Sequence, residues 1–106
     1  MQRGTVTEKT VAVPFLERRK PVEDTAILEL YWERNEQAIA ETQKSYGKYC
    51  YSIAWHILHD REDTEECLND TWMRAWNAIP PKKPNRLELF LGTITRNLSF
   101  DRWKAK

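Results

Sequence analysis

Residues 60–76 read DREDTEECLNDTWMRAW, and residues 87–103, beyond a short stretch rich in Pro and Lys, read LELFLGTITRNLSFDRW. In the first run Leu68, Thr71, Trp72, Ala75, Trp76 and Ile79 recur at three- and four-residue steps. That spacing puts them on one stripe of a helix, as its core face, and leaves Glu62, Glu65, Glu66, Asn69, Asp70 and Met73 on the other side. Asp60 stands where its carboxylate can accept from the backbone at Asp63, and the acids that follow suit the positive end of the helix dipole. From residue 60 to residue 70 the acids outnumber the single base Arg61 by more than capping requires. A solvated face and a docking surface both account for such a run.

The second run reverses the sign. Asn85 and Glu88 have the spacing of a capping box, and Leu87, Phe90, Leu91, Ile94 and Leu98 repeat at helical steps. The remaining surface carries Thr93, Thr95, Arg96, Asn97, Arg102, Lys104 and Lys106, with Lys82, Lys83 and Arg86 just ahead of it. Against these cations stand only Glu88 and Asp101. A basic helix face bearing Asn and Thr is the kind of surface that meets phosphates and base edges, although many surface helices end in cations that merely complement their dipole. Between the helices, Pro80, Pro81 and Pro84 stiffen a connector whose Lys82 and Lys83 cannot bury. It is expected to project as a short wall beside the basic helix.

Taken together, DTEECLNDTWMRAW at residues 63–76 and FLGTITRNLSFDRW at residues 90–103 resemble region two of bacterial RNA polymerase sigma factors of the extracytoplasmic-function type. In that family the first helix reads approximately Asp-Ala-Glu-Asp, two aliphatics, Gln, an acid, Thr, Phe, Leu, Arg, Ala, Trp. The second reads aromatic-Leu, Ile, a basic residue, Asn and, four residues on, Asp-Arg. Upstream, Ile57-Leu58-His59-Asp60 stands where the family commonly has Ile-Leu-Gly-Asp, so the resemblance runs from Ala26 to the end. The chain departs from the pattern at Thr64, Glu66, Asn69, Trp72 and Phe90, keeping size or polarity. It departs further at Gly92, a residue that costs about 1 kcal/mol against Ala inside a helix.

The resemblance implies an all-α fold, a compact bundle of about four helices over residues 24–106. It implies a sigma factor domain that binds core RNA polymerase and recognises and melts the minus-ten promoter element. Glu66, Asn69, Asp70, Met73 and Arg74 would dock on the clamp helices of the largest catalytic subunit. Lys82, Lys83, Arg86, Thr93, Arg96, Asn97, Arg102 and Lys104 would engage the promoter's non-template strand, with Asn97 and the connector reading an exposed base. Trp72, Trp76, Phe90 and Ile94 would set the angle between the two helices. An anti-sigma factor is a further partner that the family allows. No second helix-turn-helix follows Lys106, so the chain is expected to be one part of a longer factor.

Outward from this pair, 106 residues with 41% hydrophobic content, five Trp and a net charge of +1 describe one small domain with a modest core. No apolar run approaches bilayer length and the N-terminus lacks the apolar centre of a secretion signal, so the cytoplasm is the expected location. Residues 1–23 do not match the family. Val11, Val13 and Phe15 alternate as an edge strand would, but Pro14 withholds a ladder donor and Arg18, Arg19 and Lys20 follow. A flexible, poorly ordered extension is expected there.

From Asp24 the chain turns helical. Asp24 or Thr25 caps a short helix with Ile27, Leu30 and Tyr31 on one side, and Asn35 opens another, so two helices meet near Arg34. Tyr46, Tyr49, Cys50, Ile53, Ala54, Ile57 and Leu58 then form a core stripe despite Gly47. Tyr49, Tyr51 and Trp55 cannot all face inward from one helix, which leaves at least one aromatic at a rim.

Cys50 and Cys67 have no Cys or His partner at a zinc-ligand spacing and are read as reduced. His56 and His59 lie one turn apart near Asp60 and Asp63, yet spacing fixes no third ligand, so neither metal nor cofactor is expected. The chain offers no nucleophile-and-base pair and no Gly-rich phosphate loop, which argues against an enzyme. Two other readings stand beside the resemblance. One is a helical protein-interaction module whose basic helix only solubilises. The other is a duplex DNA binder, disfavoured because no compact helix-turn-helix lies between Trp76 and Leu87.

Overall fold

The structure, a computed structural model, describes residues 23–106, and every regular element in that stretch is helical. The helices are α1 (Asp24–Trp32), α2 (Gln37–Leu58), α3 (Arg61–Ala78) and α4 (Leu87–Lys104), in keeping with the expected all-α bundle. The possible edge strand, the basic run and the flexibility expected of the N-terminal extension concern residues outside the described stretch.

How each helix starts and stops follows from a few side chains. At α1 the expected Asp24 or Thr25 cap does not form. The helix begins at Asp24 itself, Glu23 provides no side-chain cap, and the Asp24 carboxylate accepts the Tyr46 hydroxyl at 2.6 Å instead. α1 ends in a Schellman turn, with the Asn35 N–H on the Leu30 carbonyl and the Arg34 N–H on the Tyr31 carbonyl, both at 2.9 Å. That turn places Arg34 at φ 56°, a conformation that costs a non-glycine residue about 1–2 kcal/mol. The offset lies in its guanidinium. It donates to the Trp76 and Ile79 carbonyls at 3.0 and 2.7 Å and sits 3.7 Å above the Trp76 ring, capping the C-terminal end of α3.

The Asn35 side chain accepts the Gln37 N–H at 2.9 Å and so opens α2 as expected. α2 stops at His59, whose φ of 51° is the left-handed value that a glycine at this place would adopt freely. Asp60 caps α3 as its spacing predicts, accepting the Asp63 N–H at 2.9 Å. The capping box predicted for α4 is absent. Arg86 occupies the cap position, in extended conformation and with no side-chain bond, because the buried Leu87 is the first helical residue and leaves Asn85 one position too early.

α2 packs against each of the other three helices, and α3 also packs against α4. The main cluster joins Ile27 and Tyr31 of α1, Tyr46 and Cys50 of α2, Trp72 and Ala75 of α3, and Leu87 and Leu91 of α4. A smaller one gathers Ala54, Leu58 and Cys67. Trp55, 39% exposed, is the rim aromatic, lying parallel to Tyr51 and edge-on to His59. Between the apolar clusters runs a seam of buried hydroxyls. Thr71 meets Thr95 at 3.1 Å across the α3–α4 contact, and Ser99 donates back to the Thr95 carbonyl. Thr95, read from the sequence as surface, is fully buried because its hydroxyl has this partner. Gly92 is buried where α4 crosses Tyr49 of α2, and a Cβ there would lie 2.7 Å from the tyrosine oxygen. The glycine that departs from the family pattern is therefore what this crossing requires.

Candidate functional site

α3 turns Glu66, Asn69, Asp70, Met73 and Arg74 to solvent, all on the side opposite Thr71, Trp72 and Ala75. Met73 is 51% exposed, an apolar centre within an acidic surface. α4 and its approach present the opposite charge. Lys82, Lys83 and Arg86 are exposed on the connector, and Thr93, Arg96, Asn97 and Lys104 are exposed along one stripe of the helix.

Arg102 stands apart from that stripe. It is half-buried at the α3–α4 boundary, its Nε 3.3 Å from Asp63 Oδ1 and its Nη2 paired with Glu66. Lys106 pairs with the other oxygen of Asp63. Foremost through the Lys106 ammonium that donates to it, and then through the charges of Lys106 and Arg102, the Asp63 carboxyl is held below the ordinary carboxylate value. The acidic and basic helices are thus clasped together at one end, and Glu66 and Arg102, assigned by sequence to different faces, touch one another.

At the other end of α4 the connector meets α1. Lys83, Pro84 and Asn85 form one wall of a cavity of about 520 Å³, and Thr25, Leu28, Glu29 and Trp32 form the other. Trp32 is 47% exposed into this surface. Sequence reasoning missed α1 as part of the site. The available signal was Trp32, a large apolar ring that lies off the Ile27–Tyr31 stripe and so needed another use. It likewise missed Phe100, which follows Thr93 and Arg96 at seven and four residues and is 43% exposed on the basic stripe.

The histidines are engaged locally. His56 Nδ1 lies 2.7 Å from the Ser52 carbonyl, and His59 packs edge-on to Trp55. Among the described residues no group of three or more His, Cys, Asp or Glu is placed to hold a metal ion. Cys50 and Cys67 are free and buried, and burial pushes both thiols up, out of the range of reactive thiolates. Among the described residues no helix is long and apolar enough to cross a membrane.

No curated protein and no solved structure matches the chain. A family model does: sigma-70 region 2 matches residues 43–106, from within α2 through α3 and α4, with α1 outside the match. Since that match covers both the acidic and the basic helix, the chain belongs to the sigma-70 region 2 family, whose non-catalytic domains bind core RNA polymerase and recognise minus-ten promoter DNA.

Proposed function

We propose that residues 24–106 form the polymerase- and promoter-binding domain of an extracytoplasmic-function type sigma factor acting in the cytoplasm. The exposed face of α3, with Glu66, Asn69, Asp70, Met73 and Arg74, docks on the clamp helices of the polymerase's largest catalytic subunit. Its carboxylates steer a basic partner and Met73 gives the contact an apolar centre. Lys82, Lys83, Arg86, Arg96 and Lys104 neutralise phosphates of the non-template strand, while Thr93 and Asn97 meet base edges. Arg102 adds positive potential from the edge, its charge shared with Asp63 and Glu66.

The observation that carries this reading is the cavity between connector and α1. Melting requires a receptacle for an extruded base, because unstacking costs a few kcal/mol unless a pocket receives it. Trp32 and Leu28 offer apolar walls, Thr25 and Asn85 polar groups, and Lys83 a cation for the flanking phosphate. An anti-sigma factor would work by covering the α3 face.

Paired variants test the division of labour. Asp70→Lys should abolish capture by core polymerase and leave single-strand binding unchanged, whereas Trp32→Ala should weaken single-strand binding and leave capture unchanged. Unchanged capture by Asp70→Lys would remove the docking assignment. Polymerase capture without any single-strand binding would put the protein-interaction module in place of the promoter reader.

A further inference from the structure

α2 and α3 are joined only by His59 and Asp60, so they pack side by side and antiparallel. An open trough follows their seam. One part, about 600 Å³, is lined by Lys44, Gly47, Lys48 and Tyr51 of α2 and by Leu68 and Trp72 of α3. The next part, about 410 Å³, sets Ile39 and Ala40 against Met73 and Trp76, and Gln43 borders both. We infer that this trough receives a second copy of the chain, so that α2 and α3 of two molecules close into a four-helix bundle about a two-fold axis running along the helices. The association stands apart from the functional reading above; only its consequence for polymerase rests on the docking assignment.

Charge selects the occupant. Lys44 and Lys48, one turn apart, are exposed on the α2 wall, while Glu62, Glu65 and Glu66 are exposed on α3. Within each helix Lys44 pairs with Glu41 at 3.7 Å and Arg61 with Glu65 at 3.1 Å. Pairs this exposed contribute little and leave their charges available to a partner. A two-fold axis parallel to the helices turns the molecule over and keeps every residue at its own level. It therefore lays the basic wall of each copy over the acidic wall of the other, whereas an axis across the helices would oppose like walls. Lys48 and Glu65 line the same part of the trough, so each Lys48 meets the second copy's Glu65. The surface is thus complementary to itself.

The floor supplies the apolar centre. Met73 is 51% exposed, and Ile39, Tyr51, Leu68 and Trp76 are half-buried, which leaves apolar surface that one molecule does not cover. Gly47 gives a second, separate indication. Gly92 is explained by Tyr49, but a Cβ at Gly47 would meet nothing within 4 Å. The fold of one chain therefore gives no reason for a residue that weakens the middle of a helix. With Ala40 two turns earlier on the same wall, it lets a facing helix come close. A net charge of +1 sets no long-range repulsion between copies.

Asn69 lines the trough and Met73 stands in its floor, and both belong to the face assigned to polymerase. Paired copies hide that face. The dimer is then a storage form that has to separate before polymerase docks.

Sedimentation equilibrium of the full chain, with neither polymerase nor DNA present, reads the association directly. The natural chain should exchange with concentration between one species and another of twice its mass. Lys48→Glu should weaken the dimer by about tenfold or more, Glu65→Lys should do the same, and the double variant should regain most of the loss. Gly47→Leu should abolish the dimer yet raise the melting temperature of the dilute chain by roughly 4–8 °C, because the helix gains and no neighbour is displaced. A chain that stays monomeric at every concentration would overturn the inference while leaving the docking and promoter readings intact. A dimer that Lys48→Glu and Gly47→Leu leave unchanged would overturn it as well, since another face would then form it. Polymerase capture that is equally efficient above and below the concentration of dimer formation would overturn the storage role.

Discussion

Gly92→Ala probes the contact that aims the promoter-facing helix. The added Cβ would stand 2.7 Å from Tyr49 Oη and 3.3 Å from ring carbons Cε2 and Cζ. Two effects of similar size oppose one another. Alanine favours the helix by about 1 kcal/mol over glycine. Overpacking a close helix crossing costs about 1–3 kcal/mol. The hydroxyl contact is well inside van der Waals distance and the ring is stiff, so the clash wins and the single variant should lose up to about 2 kcal/mol. Tyr49→Phe removes the nearest atom and leaves only the 3.3 Å contacts, which a small shift can absorb. In that background Gly92→Ala should be neutral or stabilising by up to about 1 kcal/mol. The cycle of four proteins thus yields a coupling of up to about 3 kcal/mol, measured by urea unfolding at constant m. If Gly92→Ala stabilises equally in both backgrounds, α4 does not rest on Tyr49 and the aim given to Thr93, Arg96 and Asn97 is wrong.

Arg34→Ala keeps the left-handed backbone but loses two carbonyl bonds and the Trp76 stack, for an expected loss of about 1–2 kcal/mol at this exposed site. Arg34→Gly relieves the backbone and should lose less; in a thermal melt, an alanine variant as stable as the glycine one would contradict the left-handed strain, and one as stable as the natural chain would contradict the capping role. The Asp63 carboxyl is depressed in the folded chain, so its contribution is present in full above the ordinary 3.8 and lost as pH falls through the lower folded value. Stability followed by circular dichroism should therefore fall more steeply below about pH 4 in the natural chain than in Asp63→Asn, and identical curves would dismiss the clasp. Lys104→Ala should weaken every single-stranded oligonucleotide alike and reduce the salt slope by about 0.7, whereas an unchanged slope would remove Lys104 from the phosphate contacts.

The helices themselves were legible because their signals are local. The Asp60 cap, the Thr71–Trp72–Ala75 stripe and the rim position of at least one aromatic among Tyr49, Tyr51 and Trp55 need only the period of a helix and one side-chain bond. What was misread depends on partners distant in the chain. Thr95 reads as surface until Thr71 is brought to 3.1 Å, and Asn85 reads as a cap until the burial of Leu87 sets where α4 begins. Gly92 reads as a flaw until Tyr49 is seen against it. Arg34 carries no local sign that it caps a helix more than forty residues later.

The candidate site was divided in the same way. The exposed faces of α3 and α4 follow from periodicity and charge, so most of their residues could be named from the sequence. The cavity could not, because Trp32 and Lys83 lie far apart in the chain and only the packing of α1 brings them together. Arg102 was legible as a cation but not as one already paired, since Asp63 and Glu66 reach it across the bundle.

The central claim is that α4 and its connector read an exposed strand of promoter DNA. Its most direct test is fluorescence-polarisation binding of the chain to a panel of short single-stranded oligonucleotides with randomised minus-ten-like sequences. The panel is run at low and moderate salt, with Asn97→Ala alongside. The account predicts sequence-selective binding that weakens with salt, and an Asn97→Ala variant that still binds but no longer discriminates. Uniform absence of binding at low salt, or selectivity that survives in Asn97→Ala, would contradict it.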